Sequence, residues 1–244
     1  MNPDAYLEMA HTEANHWWFV GRRAILASLI SNLSFPAEAR ILEIGSGTGG
    51  NLSMLSAFGR VSALEMDARA RSIATEKTGG HFDIRAGICP ADIPFPIANF
   101  DLICLFDVLE HIEEDVATLL AVRRLLAARG RVLLTVPAYS WLWSTHDEHL
   151  HHKRRYSIRE LQEKLAASGL LIEKVSHFNT LLFPLVALGR LKDRLLNDSS
   201  ASGTDIPLAL VNELLSTIFA AERFWLRTRN LPFGASLLAV CRAA

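Results

Sequence analysis

Short apolar runs rich in Ile, Leu and Val alternate with segments of helical periodicity from Ala39 onward. Five runs predict strands: Arg40–Ile44, Val61–Met66, Phe82–Ala86, Phe100–Phe106 and Arg131–Val136. Helical patterns lie between them, near residues 48–58, 68–78 and 113–128. Strands that alternate with helices in this way predict a parallel sheet with helices on both faces.

The C-terminal third continues this pattern with an interruption. Ser157 and Glu160 form a capping-box pattern that predicts a helix start, and Gly169 predicts its end. Further strands are predicted at Leu170–His177 and Ser236–Cys241. Between them lie two helical patterns, near 180–196 and 207–228, separated by the linker-like stretch Asn197–Thr204. Four segments are therefore predicted: an N-terminal helical cap (1–38), a core (39–179), a helical insertion (180–230) and a final core strand (231–244).

A glycine-rich loop follows the first predicted strand, with the sequence Glu43-Ile44-Gly45-Ser46-Gly47-Thr48-Gly49-Gly50. Glycines lack the Cβ atoms that would hold a ligand away from backbone amides and a helix N-terminus. Three of them satisfy the G-x-G-x-x-G pattern, and Glu65 ends the second strand, where an acid binds ribose hydroxyls. This much fits a dinucleotide and S-adenosylmethionine equally well.

Glu43 distinguishes between these two ligands. Its carboxylate stands two residues before the first glycine. Negative charge there attracts a ligand that carries an ammonium group and a sulfonium, and it repels a pyrophosphate. The charge at this position therefore favours S-adenosylmethionine.

Several motifs together resemble the class I S-adenosylmethionine-dependent methyltransferases. Ile41–Gly49 resembles the first motif of that family, and Ala63–Asp67 resembles its ribose-binding strand end. Three further segments match its third and fourth strand regions in the right order: Pro94–Pro96, Asn99–Leu102 and Asp107–Ile112. The resemblance covers residues 40–137. It implies a Rossmann-like α/β fold with a mostly parallel seven-stranded sheet, a helical insertion before the last strand, and S-adenosylmethionine as cofactor.

The resemblance also implies which residues bind this cofactor: Glu43, Gly45, Ser46, Gly47, Gly49, Glu65, Met66, Ile88, Cys89 and Asp107. Glu43 and the first two glycines would face the methionine part, and Glu65 the ribose. Ile88 or Cys89 would face the adenine. The family often carries an acid after its third strand, which this chain lacks, so backbone groups or Asp92 are the alternatives for holding adenine. Asp67 either contributes to the site or caps the next helix, and Asp101 is interpreted as structural.

The acceptor is expected beyond the carboxyl ends of the strands, where ligands bind in open α/β sheets. The loop of residues 137–156 concentrates aromatic residues, four histidines and a basic triplet. Trp141, Trp143 and Tyr156 are predicted to form a wall for an apolar or sugar-like acceptor, with Tyr156 also a catalytic candidate. His146 or His152 is predicted to remove a proton, and Arg154 and Arg155 to bind a carboxylate or phosphate. The alternative is a surface loop whose aromatics pack on the sheet.

Two further predictions concern histidines. His111 ends the fourth strand region, so it either takes part in the chemistry or begins the next helix. A zinc site within the loop would use His146, Asp147, His149, His151 and His152. That spacing matches no familiar closed constellation, and paired cysteines are absent. We therefore predict no metal.

Aromatic and apolar segments outside the core also suggest acceptor contacts. Trp17 and Trp18 are consecutive and cannot share one helix face, so at least one is predicted, with Arg22, to face a ligand or the insertion. Residues 180–196 are apolar and then basic, a pattern typical of a helix that lies on a membrane surface or covers a lipid-like acceptor. The alternative is a helix packed on the domain or on a second subunit.

Composition limits the remaining choices. The chain has 25 basic and 26 acidic side chains, a balance that argues against a nucleic-acid partner. Three widely spaced cysteines and the absence of an N-terminal signal pattern predict a cytoplasmic protein, with peripheral contact at the inner membrane surface as an option. We predict methylation, on oxygen, of a small-molecule, glycan or lipid-linked acceptor. The alternatives are a non-catalytic S-adenosylmethionine-binding protein and an NAD(P)-dependent oxidoreductase.

Overall fold

The computed structural model describes residues 3–36, 38–196 and 206–243. Its helices are α1 (Pro3–Thr12), α2 (Trp17–Ile30), α3 (Leu52–Ser56), α4 (Ala68–Lys77), α5 (Asp115–Leu125), α6 (Thr145–His149), α7 (Ile158–Ala167), α8 (Phe183–Leu196), α9 (Ala209–Ala221) and α10 (Arg223–Leu226). Its strands are β1 (Arg40–Ile44), β2 (Arg60–Glu65), β3 (Asp83–Ala86), β4 (Phe100–Phe106), β5 (Leu126–Pro137), β6 (Leu170–Phe178) and β7 (Ser236–Ala243). Leu109–His111 and Ser140–Leu142 form single 3-10 turns.

The seven strands form one sheet in the order β3-β2-β1-β4-β5-β7-β6. The first five are parallel, and β7 runs antiparallel to both β5 and β6. This confirms the predicted mostly parallel, seven-stranded sheet with helices inserted before the last strand. Ile44 lies opposite Leu64 of β2 and Leu105 of β4. The carboxyl ends of these three strands therefore meet at one edge.

Three element boundaries differ from the sequence prediction. Helix α5 ends at Leu125, and β5 begins at once with Leu126, which is buried and paired with Phe100. Pairing with β4 thus extends the strand into a stretch whose composition favours a helix. The predicted helix near 48–58 is only Leu52–Ser56, and the pattern near 207–228 divides into α9 and α10. The predicted linker Asn197–Thr204 lies outside the described residues.

Buried apolar clusters cover both faces of the sheet, as the alternation of strands and helices requires. On one face α2 packs against α9, and Gly21 makes this approach possible, because a Cβ there would lie 2.6 Å from the ring of Phe219. The N-terminal cap is thereby joined to the insertion. All three cysteines are buried free thiols. Among the described helices, none combines the length and apolar character needed to cross a bilayer.

Candidate active site

A cavity of about 580 Å³ lies at the carboxyl ends of β1, β2 and β4. Residues of α1 and α2 cover one side, and residues of α6 and α8 cover the other. One end of this cavity is lined by the glycine loop and the residues after β2 and β3; we call it the donor end. The opposite end is lined by histidines from the β4 end and the loop after β5; we call it the histidine end.

The donor end is built mainly from backbone. Gly45, Gly47 and Gly49 all have positive φ angles, a conformation that side-chain-bearing residues rarely adopt. The Gly45 amide donates to the Leu64 carbonyl at 2.8 Å, which fixes the loop against β2. A Cβ on Gly45 would lie 2.6 Å from Val108. The sequence of glycines thus allows the loop to turn tightly beside the cavity, where Gly45, Ser46 and Gly47 lie as expected.

Glu65 lies at the end of β2, buried and on the cavity wall. One carboxylate oxygen accepts from the Gly47 amide at 2.8 Å, and the other accepts from the Asp67 amide at 2.9 Å. Burial raises the pKa of this carboxyl, and the two backbone bonds oppose the rise. Each oxygen keeps a second lone pair, so Glu65 holds the loop and can also accept from ribose hydroxyls. Asp67 caps α4 through the Ala70 amide, at 2.9 Å.

Two predicted cofactor residues lie behind the cavity wall, and their direct roles require correction. Glu43 is fully buried and accepts at 2.8 Å from the side-chain amide of Asn51, which itself lines the cavity. Burial raises the pKa of Glu43 to about 8. A Cβ on Gly49 would meet Ala74 of α4 and Leu52 of α3, so this residue faces the two helices rather than the cavity.

The predicted adenine region is placed beside Glu65. Met66, Ile88 and Cys89 all line the cavity. The Ile88 amide donates to the Asp92 carbonyl at 2.8 Å, so it is already engaged in a local turn. The side chain of Asp92 is exposed and is not part of the cavity wall. Asp92 is therefore wrong as an adenine ligand, since the turn carries it away.

Helix α1 covers the donor end, a role that the motif analysis missed. Tyr6, Met9 and Glu13 line the cavity from this helix and the residue after it. Glu13 accepts from the Thr48 hydroxyl at 2.6 Å and pairs with Lys77, so it ties the N-terminal cap to the glycine loop and to α4. Burial, with Glu65 nearby, raises the pKa of Tyr6. Tyr6, Met9 and Glu13 have the spacing i, i+3, i+7, which places them on one face of a helix and is visible in the sequence.

The cap reaches the β4 end through a buried ion pair between Arg22 and Asp107. Asp107 has a positive φ of 57°, and its amide donates to the Thr135 carbonyl at 3.1 Å. The Arg22 guanidinium also stacks over the Trp18 ring, 4.3 Å from its centroid. Arg22, Asp107 and Trp18 all line the cavity. Trp17 lines it too, and its ring packs edge-on against Phe219 of α9. The pair therefore shapes the wall between the two ends.

The histidine end brings together residues that are distant in sequence. Glu110 is completely buried, and His111 and His152 lie beside it with ring centroids 4.7 Å apart. His152 bonds through Nδ1 to Asp147 at 2.8 Å, while its Nε2 faces Glu110 Oε1 at 4.0 Å. Burial and the neighbouring His152 lower the pKa of His111 to about 3. A ring with so low a pKa is a poor general base at neutral pH, which argues against that role for His111.

Arg155 also lines this end, but its guanidinium is committed. Its Nε and Nη2 donate to the two Asp147 oxygens at 2.8 and 2.9 Å, and its Nη1 donates to the Ala138 carbonyl. Burial raises the pKa of Asp147, but the hydrogen bonds and charges of His152 and Arg155 hold it well below its usual range. The prediction that Arg155 binds an acceptor anion is therefore corrected: it positions Asp147. His146 lies on the cavity wall.

Four predicted acceptor residues lie away from the cavity. The Tyr156 hydroxyl is buried and donates to Asp115 at 3.1 Å, so its catalytic role is wrong. Arg154 pairs with the same carboxylate from outside. Trp141 is exposed and stacks on Tyr139, and Trp143 is half-buried off the cavity wall. The backbone bridge of Ala138 to Tyr156 sets these directions, because it turns the loop around the core rather than over the cavity.

Comparison with known proteins identifies the family to which the chain belongs. Residues 19–175 match the family model described as "Methyltransferase domain". No curated protein matches the chain. Among solved structures, the complex of the Haloferax volcanii Trm112 methyltransferase activator with a methyltransferase is similar, with TM-score 0.65 and 18% identity over 98% of this chain and 95% of that one.

Two further structures are similar over most of their length. A methyltransferase of Bacillus halodurans C-125 has TM-score 0.62 and 17% identity over 89% of this chain and 97% of that one. Geranyl diphosphate C-methyltransferase of Streptomyces coelicolor A3(2), in complex with Mg²⁺, geranyl diphosphate and S-adenosyl-L-homocysteine, has TM-score 0.59 and 15% identity over 88% and 77%. With the sheet order and glycine loop described above, the chain belongs to the methyltransferase domain family and has its class I fold, whose methyl donor is S-adenosylmethionine.

Proposed function

We propose that the protein transfers the methyl group of S-adenosylmethionine to an oxygen atom of a small or lipid-linked acceptor. The observation that carries this proposal is the single cavity that joins the donor end to the histidine end. A donor held along the glycine loop, with its ribose at Glu65, directs its methyl group toward the histidines. S-adenosylhomocysteine, the product of such a transfer, is present in the similar Streptomyces enzyme.

Methyl transfer is an in-line displacement, so alignment and exclusion of water are the main requirements. The acceptor oxygen forms the new C–O bond while the C–S bond breaks. The electron pair of the broken C–S bond stays on sulfur, which becomes a neutral thioether. A hydroxyl acceptor also loses its proton. Of the other histidines at the histidine end of the cavity, His111 is too weak a base, His152 is held between Asp147 and Glu110, and His149 faces Glu8 at 3.9 Å. We assign the proton to His146, which also lies on the cavity wall.

The lipid-linked class of acceptor is supported by the two faces of α8. Val186 and Arg190 line the cavity, and Arg190 donates to the Ser144 hydroxyl at 3.2 Å. Leu185, Leu188 and Leu191 lie on the opposite face and are all exposed. A helix with the reaction cavity on one side and exposed aliphatic residues on the other is suited to lie on a lipid surface while its acceptor enters beneath it.

Calorimetric titration with S-adenosylmethionine, S-adenosylhomocysteine and NADH tests the donor assignment. We expect both adenosyl ligands to bind, and Glu65→Gln to weaken them at least about tenfold through one lost carboxylate–hydroxyl bond. The matched control is Glu76→Gln, an exposed acid on α4. Binding of NADH alone would overturn the proposal in favour of an oxidoreductase.

Transfer itself is tested with methyl-deuterated S-adenosylmethionine and a cell extract as acceptor source. Mass spectrometry identifies labelled products, and the chemical shift of the new methyl carbon distinguishes an O-methyl from an N- or C-methyl group. We expect an O-methyl product whose rate falls about 100-fold in His146→Gln. A labelled N- or C-methyl product contradicts the oxygen assignment, and donor binding without any product favours a non-catalytic role.

Sedimentation with vesicles of phosphatidylcholine and phosphatidylglycerol tests the surface of α8. We expect binding that decreases in Leu188→Gln. Ile97→Gln is the matched control, because Leu188 and Ile97 are both 66% exposed and Ile97 lies far from α8 in sequence, on the loop before β4. Equal losses in both variants, or no vesicle binding by the unmodified chain, would contradict the lipid-linked assignment.

A further inference from the structure

We propose that Glu110, His111 and His152 bind one divalent transition-metal ion at the histidine end of the cavity. Each residue offers one ligand atom, and the three atoms lie within 4.8 Å of one another. Two imidazoles and one carboxylate on the same side of an ion form a common open site in proteins, with further positions left for water or substrate. The loop histidines alone match no closed metal constellation, but the fold brings His152 of that loop to Glu110 and His111.

Glu110 is the strongest indication of a cation. Its side chain is completely buried, and neither carboxylate oxygen has a hydrogen-bond partner among the described residues. A buried carboxylate without partners is costly, and proteins resolve that cost by pairing it or by binding a metal. The nearby guanidinium groups do not pair with it directly, because Arg22 is bound to Asp107 and Arg155 to Asp147. When Glu110 is ionised, as a metal ligand must be, these five side chains sum to one negative charge, which a divalent cation reverses.

The distances suit coordination after small side-chain adjustments. An ion with bonds of about 2.1 Å holds neighbouring ligand atoms roughly 3 to 3.4 Å apart. His152 Nε2 and Glu110 Oε1 are 4.0 Å apart, and all three ligand atoms lie within 4.8 Å of one another, so the pairs need to approach by up to about 1 to 2 Å. Rotation of the Glu110 side chain supplies such a movement, since no hydrogen bond from the part of the chain that the structure describes holds its carboxylate oxygens in place.

Both imidazoles already have the outer partners that metal-bound histidines use. His152 donates through Nδ1 to Asp147, which Arg155 holds in place with two hydrogen bonds. The His111 ring is hydrogen-bonded to the backbone of His151. Outer partners of this kind fix the ring orientation, and their presence on both rings distinguishes a prepared site from a chance cluster of histidines.

Nitrogen ligands favour Zn²⁺, Fe²⁺, Co²⁺ or Mn²⁺ over Mg²⁺, which prefers an all-oxygen site. The open positions of the ion face the cavity that Glu110, His111 and His152 line. An acceptor hydroxyl or carboxylate bound there is oriented, and a bound hydroxyl loses its proton more readily. This role for the ion rests on the proposed function, but binding of the ion does not.

Titration of the purified full chain with CoCl₂, followed by calorimetry and by visible absorption of the Co²⁺ ion, tests the site. We expect one ion per chain, with an absorption spectrum typical of mixed nitrogen and oxygen ligands. Glu110→Gln and His152→Gln are each expected to weaken binding about 100-fold, while thermal unfolding shows that both variants remain folded. His149→Gln is the matched control, because His149 lines the same cavity outside the triad.

The outcomes are separable from those of the donor titration. Absence of stoichiometric Co²⁺ binding by the unmodified chain overturns the metal site and leaves the donor assignment intact. Equal loss in His149→Gln also overturns it, since binding would then be a general property of cavity histidines. Retained Co²⁺ binding in a chain that does not bind S-adenosylmethionine would support the metal site and contradict the proposed function. If Glu110→Gln unfolds, His152→Gln alone decides the ligand assignment.

Discussion

The donor end and the histidine end of the cavity are built in different ways. The donor end, beneath the cover of α1, is built mainly from segments at the ends of two strands: the glycine loop after β1 and Glu65 at the end of β2. The histidine end consists of side chains from segments about 40 residues apart in sequence, Glu110 and His111 on one side and Asp147, His152 and Arg155 on the other.

This difference predicts different responses to change. A site made of backbone depends on φ angles and on the space beside the chain, so one added methyl group disturbs it. A site made of side chains depends on chemical identity and on the partners that orient each group. The ion pair of Arg22 and Asp107 lies between the two ends and connects them to the N-terminal cap.

The largest effect is expected from Gly45→Ala. The new Cβ meets Val108 at 2.6 Å in a loop with positive φ, so the donor end deforms and affinity for S-adenosylmethionine falls at least about 100-fold. Calorimetric titration measures this. Gly80→Ala is the control, because Gly80 has the same positive φ with open space around it. Similar losses in both would indicate a general effect of strain and remove the contrast between the ends.

An intermediate effect is expected where the two ends meet. Arg22→Met removes one partner of a mostly buried ion pair, and we expect the free energy of unfolding to fall by about 2–3 kcal/mol. This is less than for a fully buried pair, because solvent reaches Asp107. Arg159→Met is the control, because Arg159 and Glu163 form an exposed pair on α7 that solvent screens, so its removal is expected to leave the free energy of unfolding nearly unchanged. Urea unfolding measures both. Equal costs would show that the pair contributes no connection between the ends.

The smallest effect is a dependence of stability on pH. Glu43 has a folded pKa of about 8, above its unfolded value, so between these two values the folded state holds a proton that the unfolded state has released. Its contribution to stability therefore falls as pH rises, and it is lost once pH passes the folded pKa. Glu65, Glu110 and Glu222 contribute in the same direction, so the test is a difference between variants.

Urea unfolding at pH 5.5 and 8 supplies that difference. Between pH 5.5 and 8, we expect the free energy of unfolding of the unmodified chain to fall by at least about 1 kcal/mol more than that of the Glu43→Gln variant. Glu76→Gln, an exposed substitution on α4, is expected to behave like the unmodified chain. A Glu43→Gln variant with the same loss as the unmodified chain would contradict ionisation of Glu43 as the cause.

The fold followed from the sequence because each strand and its following turn carry a local signal. The alternation of apolar runs and helical patterns predicted the seven strands, with boundaries within about two residues except at β5, where pairing extended the strand back to Leu126. The capping box at Ser157 is present as predicted, with the Glu160 amide donating to the Ser157 hydroxyl. Helix α1 lacks a comparable motif, and its covering of the donor end depends on contacts of Glu13 with Thr48 and Lys77.

By itself, the sequence determined the glycine loop and the acid at the end of β2, because each of these features depends on residues within a few positions of one another. Only the tertiary structure decided the histidine end. In the loop after β5 no regular period fixes where side chains point, so packing sent Tyr156 into the core and Arg154 to Asp115. The same packing turned His152 toward Glu110 and His111, a juxtaposition that depends on the spacing of strands in space and not on distance along the chain.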